Sequence, residues 1–340
     1  MKSFIIKHKL SILVISFTIL FFITFLYIDL AEVMFYSSLE GNMTSGIIKR
    51  SWFFLIPTIL LIPFIIVFLI KYLINYKKKK KWIIFPLVLV FELIYTFYVS
   101  LYFMAPGFSF FPTTLNEEIL NYDNVYEVSV NMDNKTYKSL YYDNNKSECA
   151  IFFLGNGMVS SDIFEILGND KLKTSNKNIL VMDYPIFRNN PGGLTENNIY
   201  KLVDLHMDLL INELGYDLSH ISVYGFSIGT GVACYCAEKY EVKALTLFAP
   251  YHKFEVCMNV VTPIFYGPNK LCVRFKFNSI ERAKNIKCHT KIIFSQADKV
   301  IPFYSTYLLA DEFKDKELIP LTNASHAMVL RGQLYNYLCK

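Results

Sequence analysis

The chain has 340 residues, 53% hydrophobic and 16% aromatic, with a formal net charge of +5. A mean hydropathy of +0.31 is too high for an ordinary water-soluble domain, so apolar spans must be accounted for first. Charge is unevenly divided: eleven Lys and Arg face three Asp and Glu in residues 1–81, and 23 face 26 from residue 82 onward, which leaves no basic surface suited to nucleic acid.

Residues 10–28 form an uninterrupted apolar run preceded by Lys2, Lys7 and Lys9. At about 1.5 Å per residue the run is long enough to cross a hydrocarbon core of about 30 Å. No small-x-small cleavage site follows it, so it reads as a retained anchor and not as a signal peptide. Residues 52–74 and 82–104 read as second and third spans, each opened by an interfacial tryptophan, Trp52 and Trp82. Pro57, Pro63 and Pro86 lie inside these runs, where membrane helices tolerate them. Five consecutive lysines, Lys77–Lys81, fill the short loop between the second and third spans. The positive-inside rule puts that loop and the N-terminus in the cytoplasm and everything after Met104 on the other side. Glu92, within the third span, reads either as a functional carboxyl or as a protonated group bonded to a neighbouring helix.

Residues 1–105 are thus expected to be a membrane region, 106–124 a juxtamembrane linker carrying Pro106, Gly107 and Pro112, and 125–340 a soluble domain. Eight strands are predicted in that domain, near 125–130, 138–142, 150–154, 179–182, 220–224, 244–248, 291–295 and 317–321. Helical patterns lie between the later ones, notably 195–214, with an apolar stripe of Leu202, Leu205, Leu209 and Ile211. Strands alternating with helices imply a mostly parallel eight-stranded sheet covered on both faces, with ligands at the carboxyl ends of the strands.

The strand predicted at 220–224 runs into Gly225-Phe226-Ser227-Ile228-Gly229 and then an apolar helix over 231–239. Strand, tight turn and helix with a serine at the apex make a nucleophile elbow, in which Gly225 and Gly229 are needed because a Cβ there would collide with the neighbouring strand or helix. Ser227 is the expected nucleophile. Asp298 follows the strand at 291–295, and His326, the only histidine after it, follows the strand at 317–321. Each emerges at a strand's carboxyl end, and the order Ser, Asp, His is the one this architecture requires for a catalytic triad. The apolar strand at 150–154 ends in Gly155-Asn156-Gly157, which lets backbone N–H groups approach a ligand closely. The oxyanion donors are expected at the backbone of Asn156, with Gly157 as its possible substitute, and at the backbone of Ile228.

These motifs resemble the α/β-hydrolase superfamily, and within it the membrane-anchored hydrolases related to serine aminopeptidases, lysophospholipases and depalmitoylating enzymes. The resemblance runs from about Tyr137 to the C-terminus. It takes in Leu154-Gly155-Asn156-Gly157 for the family's His-Gly-Asn turn, Asp183-Tyr184-Pro185 for its Asp-Tyr-Arg, and Pro191 to Glu196 for its Gly-x-Pro-Thr-Glu segment. Phe248-Ala249-Pro250, the elbow, the Asp298 loop and His326 also match. Two departures stand out: Leu154 replaces the family's histidine, and Ser325 replaces the glycine usually found before the catalytic histidine. The resemblance implies an α/β-hydrolase fold and a cofactor-free acyl-enzyme mechanism; the three spans are not part of the shared fold.

Residues 251–286 are the one stretch long enough to cap the site, and they are rich in aromatics and prolines. Such a cap suits an acyl chain, or packs on a core of its own. All seven cysteines lie beyond residue 148. Cys234 and Cys236 point to different sides of a helix, so no metal pair is expected; Cys257 and Cys272 could pair in an oxidising compartment. Four N-x-S/T sequons, at Asn42, Asn134, Asn145 and Asn323, carry little weight in an asparagine-rich chain. His206, His220, His252 and His289 read as surface or packing residues. The expectation is a multi-pass membrane serine hydrolase acting on an ester or thioester of a lipid or acylated molecule, with the bilayer as partner. A peptidase or acyltransferase on the same triad, and a catalytically weak membrane scaffold, are the alternatives.

Overall fold

In a computed structural model of the chain, the described residues are 109–261 and 263–340, together with 94, 97, 98, 101 and 102. The chain divides into two units, Met1–Ser100 and Leu101–Lys340, and every described strand lies in the second. The expected spans at 10–28 and 52–74, the Lys77–Lys81 loop and Glu92 lie outside the described residues, as does the span at 82–104 apart from five positions. Among the described residues no helix is long and apolar enough to cross a membrane.

The eight expected strands are present: β1 (Val125–Met132), β2 (Lys135–Tyr142), β3 (Cys149–Phe153), β4 (Asn178–Met182), β5 (Ile221–Phe226), β6 (Ala244–Phe248), β7 (His289–Ser295) and β8 (Lys316–Leu321). They form one sheet in the order β1-β2-β4-β3-β5-β6-β7-β8. β1 and β2 make a hairpin whose turn residues, Asp133 and Asn134, both take positive φ (51° and 60°), the conformation a two-residue turn needs to match strand twist. β2 pairs antiparallel with β4, and the six strands from β4 to β8 are parallel. Every residue of β3, β4 and β5 is buried, because a parallel sheet is covered on both faces and selects continuous apolar runs over alternation.

Between these strands lie α1 (Ser160–Lys173), α2 (Glu196–Asp208), α3 (Gly229–Lys239), α4 (Phe254–Val261), α5 (Ser279–Ala283), α6 (Phe303–Ala310) and α7 (His326–Arg331). Right-handed crossovers put α1 on one face and α2 and α3 on the other. α1 packs beside the C-terminal turn Tyr335–Cys339, and α2 beside α3. The connections leave β3 toward β4 and return past it to β5, so the sheet's switch point falls where the Gly155 loop and the elbow emerge.

Two expectations change, and of the two readings of the cap the structure shows packing on a core of its own. The apolar face of α2 is Ile199, Leu202, Val203, His206 and Met207; Leu205 is only half-buried, and the helix passes at Leu209 into a π-turn. His206 occupies a core position because its ring is satisfied there: Nδ1 bonds the Leu202 carbonyl (2.7 Å) and Nε2 the Ser139 hydroxyl (2.9 Å). Residues 109–124 are not a free linker. Phe110 and Ile119 are buried, and a short 3-10 turn, Glu117–Asn121, is capped by the Asn116 side chain. Finally, Tyr251, Phe254, Phe265, Phe275 and Phe277 of the cap are buried, with Phe254, Phe275 and Phe277 packed around Phe110, so these rings form a core and not an open acyl trough. All seven cysteines are free, including Cys257 and Cys272.

Candidate active site

The elbow is built on two close approaches. A Cβ at Gly229 would lie 2.1 Å from the carbonyl oxygen of Phe153 at the end of β3, and one at Gly225 would lie 2.6 Å from the carbonyl oxygen of Gly229 in α3. Only glycine lets strand and helix come this near. Between them Ser227 is held at φ +52°, a region costly for a residue with a Cβ. Its carbonyl accepts from the Thr230 N–H (3.0 Å) and hydroxyl (2.6 Å), and its N–H donates to Phe248 (2.9 Å). The strained turn is thus fixed from three directions, with Oγ left for chemistry.

The structure brings Ser227, His326 and Asp298 together. Ser227 Oγ is 3.0 Å from His326 Nε2, and His326 Nδ1 is 2.7 Å from Asp298 Oδ2. The other carboxylate oxygen of Asp298 accepts from the N–H groups of Val300 (2.7 Å) and Ile301 (2.9 Å), which fixes its rotamer. An ionised carboxylate can only accept, so Nδ1 carries the imidazole proton and Nε2 is free to take one from the serine. The Asp298 side chain is almost wholly buried, and that of His326 only about one-fifth exposed.

The expected oxyanion donors lie in the turn after β3 and at the residue that follows the serine. Asn156 lies in the turn after β3, where Gly157 takes φ +71°, and Ile228 opens α3. Among the described residues neither backbone N–H donates to a protein acceptor, so both are available to a ligand. The departures from the resembling family are accommodated. Ser325 caps α7 at φ −68°, where glycine has no advantage, and the left-handed residue of this loop is instead Asn323 (φ 54°). Leu154 is buried, and its carbonyl accepts from the Tyr184 hydroxyl (2.9 Å).

Some neighbours lie in the quoted motifs, but the sequence assigns them no role. The Phe226 ring lies 4.9 Å from the His326 ring and fills the space a Cβ at Gly155 would need (2.6 Å). Glu196, part of the Pro191–Glu196 segment, accepts from the N–H groups of Lys276 (2.6 Å) and Phe277 (3.2 Å) and so ties α2 to the cap. At the carboxyl end of β4, Asp183 accepts from the Ser160 N–H (2.7 Å) and hydroxyl (2.5 Å), and burial nevertheless pushes its carboxyl up to about 6. The other histidines among the described residues stand apart from the relay. His252 bonds Ser305 (2.8 Å), and His289, though it does begin a strand beside an acid, makes a surface pair with Asp315 (2.8 Å) at the amino end of β7. Among the described residues no group of His, Cys, Asp and Glu could hold a metal ion.

No established family profile matches the chain. Over 185 residues it is 29% identical to a protein of Acanthamoeba polyphaga mimivirus that bears the name of an α/β hydrolase, covering 53% of this chain and 67% of that one. It is 30% identical over 128 residues to the α/β hydrolase domain-containing protein aho-3 of Caenorhabditis elegans, and 28% identical to human α/β hydrolase domain-containing protein 17C. Each of these two matches covers 38% of this chain and 37% of the relative, well under half of either animal protein. In fold it resembles an esterase of Pyrococcus furiosus in two crystal forms, with TM-scores of 0.52 and 0.53 at 17% and 16% identity, covering 66% and 67% of this chain and 90% and 95% of the esterase. The chain has the α/β-hydrolase fold, and over the matched stretches its sequence is similar to proteins named α/β hydrolases.

Proposed function

We propose that this protein is a membrane-anchored serine hydrolase that cleaves an ester or thioester of a lipid or acylated molecule through an acyl-enzyme on Ser227. The observation that carries the reading is the continuous relay from Ser227 Oγ through His326 to Asp298, at 3.0 and 2.7 Å. In the first step His326 Nε2 takes the hydroxyl proton as Oγ bonds to the substrate carbonyl carbon, while Asp298 stabilises the imidazolium. The oxygen of the tetrahedral intermediate takes hydrogen bonds from the N–H groups of Asn156 and Ile228. Collapse expels the alcohol or thiol, which leaves with the proton from His326. Water, deprotonated by the same imidazole, then releases the acid and regenerates Ser227.

Anchoring is supported by the apolar runs at 10–28, 52–74 and 82–104, and the orientation by Lys77–Lys81, which points to a hydrolase unit on the non-cytoplasmic side. Protease added outside sealed, right-side-out vesicles would then cut this unit; full protection would reverse the orientation. A peptidase or acyltransferase would use the same relay, and fold and triad alone do not choose among them. A scaffold has no need of an aligned acid, base and nucleophile.

The decisive experiment is labelling of membranes carrying the protein with a fluorophosphonate reagent. Wild type should label, and Ser227→Ala and His326→Ala should not. Folded wild type that stays unlabelled after its membranes are opened to the reagent with detergent would remove the reading.

A further inference from the structure

The segment Ser109–Thr113 crosses the molecule as a strap between the cap and the turn that carries one oxyanion donor. At one end the Phe110 ring sits inside the cap's aromatic core, 4.5 Å from Phe275, and 6.4 and 6.5 Å from Phe254 and Phe277. In the middle, the Phe111 N–H donates to the side-chain Oδ1 of Asn156 at 2.8 Å, and the Phe111 carbonyl is the nearest group to the Cβ position of Gly157, at 3.8 Å. At the other end the Thr113 carbonyl accepts from the Arg188 N–H at 2.9 Å, and the Arg188 guanidinium is held by Glu127 (2.6 Å) and faces Asp183 (3.5 Å).

This matters because the donor turn is soft by itself. Its Gly155-Asn156-Gly157 sequence has two glycines, and Gly157 is left-handed with the Phe111 carbonyl of the strap as the one group within 4 Å of its Cβ position. An N–H stabilises an oxyanion well only if it is already aimed when charge develops. The polar contact from this turn to the strap is made by the Asn156 amide oxygen, and it belongs to the residue whose backbone N–H is the proposed donor. The strap is itself fixed at both ends, by ring packing and by Arg188.

We propose that the Asn156 side chain is a positioning residue: bonded to the Phe111 N–H, it aims its own backbone N–H at the oxyanion, and the strap thereby links cap packing to the electrophile site. This rests on the serine-hydrolase reading. Full-length protein in detergent is assayed with p-nitrophenyl butyrate, active serines are counted with fluorophosphonate, and affinity is measured for a trifluoromethyl ketone whose tetrahedral adduct carries the oxyanion. Because the donor is misaimed and not deleted, Asn156→Ala should lower kcat per titrated serine roughly 10- to 100-fold, with KM within about twofold and ketone affinity weakened by the same factor as kcat. Phe110→Ala leaves the turn's own residues intact and should show the same pattern at about 3- to 10-fold. Unchanged kcat in Asn156→Ala overturns the proposal, as does a loss confined to KM or to the titratable fraction with ketone affinity unchanged. Wild type that does not label sinks the hydrolase reading and this inference together, whereas labelled wild type with an unaffected Asn156→Ala sinks this inference alone.

Discussion

Ser227 keeps its left-handed backbone because glycines on both sides allow strand and helix to close around it, and that closure is testable one atom at a time. The obstacle at residue 229 is a backbone carbonyl 2.1 Å away, which cannot swing aside as a flexible side chain would. Gly229→Ala should therefore cost more than about 2 kcal/mol, read as a lower unfolding midpoint, and abolish fluorophosphonate labelling. Ser325→Gly makes the opposite case. Position 325 is extended, with φ −68°, so restoring the family's glycine should leave kcat within about twofold of wild type. Asp298→Asn keeps the shape of the relay but presents an amide where the imidazole proton needs an acceptor. A kcat loss on the order of 10³- to 10⁴-fold with little change in KM is expected from steady-state assays, and a loss under tenfold would contradict the assigned role.

Between α2 and β2 lies a chain of buried polar groups whose balance depends on pH. The Asp183 N–H donates to Ser139 Oγ (3.1 Å), and the Ser139 hydroxyl donates to His206 Nε2, whose Nδ1–H donates to Leu202. Burial holds the His206 imidazole down at about 4, against 6.5 when unfolded. Its contribution is complete above pH 6.5 and is lost as pH falls toward 4, because the unfolded chain takes a proton that the folded one refuses. Asp183 runs the other way: with its carboxyl raised from 3.8 to about 6, its contribution falls as pH rises through that window. The Asp183 effect is common to wild type and His206→Gln, so the difference between their thermal midpoints isolates the histidine. Wild type should lose ground to the variant as pH drops from about 7 to about 4.5, and a pH-independent difference would show that His206 does not carry the acid sensitivity. This cluster also marks where sequence reading stops. β3 and β4 are legible because their buried runs are nearly all apolar and are followed closely by Gly155 and Asp183, and the triad because each member follows a strand. His206 reads only as a surface or packing residue because a core imidazole depends on Ser139, distant in sequence. The packing of Phe110 against Phe275, and the bond from Phe111 to Asn156, join residues about 165 and 45 positions apart, so no local period marks them.

Across the whole hydrolase unit, large apolar side chains left in solvent bear on what the enzyme acts upon. α6 begins five residues after Asp298 and has no charged residue, and its Phe303, Tyr304, Tyr307 and Leu308 are all 40–50% exposed. Positions i, i+1, i+4 and i+5 share one side of a helix, so these four form a single apolar face next to the Asp298 loop. The interior face of the same helix, with Ser305 and Thr306 buried, is held by the bond from the Thr306 hydroxyl to the Pro250 carbonyl (2.8 Å). The outer face can therefore be changed without disturbing how the helix is seated. If substrates are drawn from a bilayer or carry acyl chains, the double variant Phe303→Ser, Leu308→Ser should lose about tenfold in kcat/KM on a long-chain ester presented in vesicles, mostly through KM. Each half-exposed side chain supplies only part of the roughly 1.5–3 kcal/mol of full burial. Hydrolysis of dissolved p-nitrophenyl acetate should stay within about twofold of wild type, because the relay is untouched. Equal losses on both substrates would mean that the face supports the fold, and no loss on either would remove the lipid-facing role and favour a small soluble ester as the substrate.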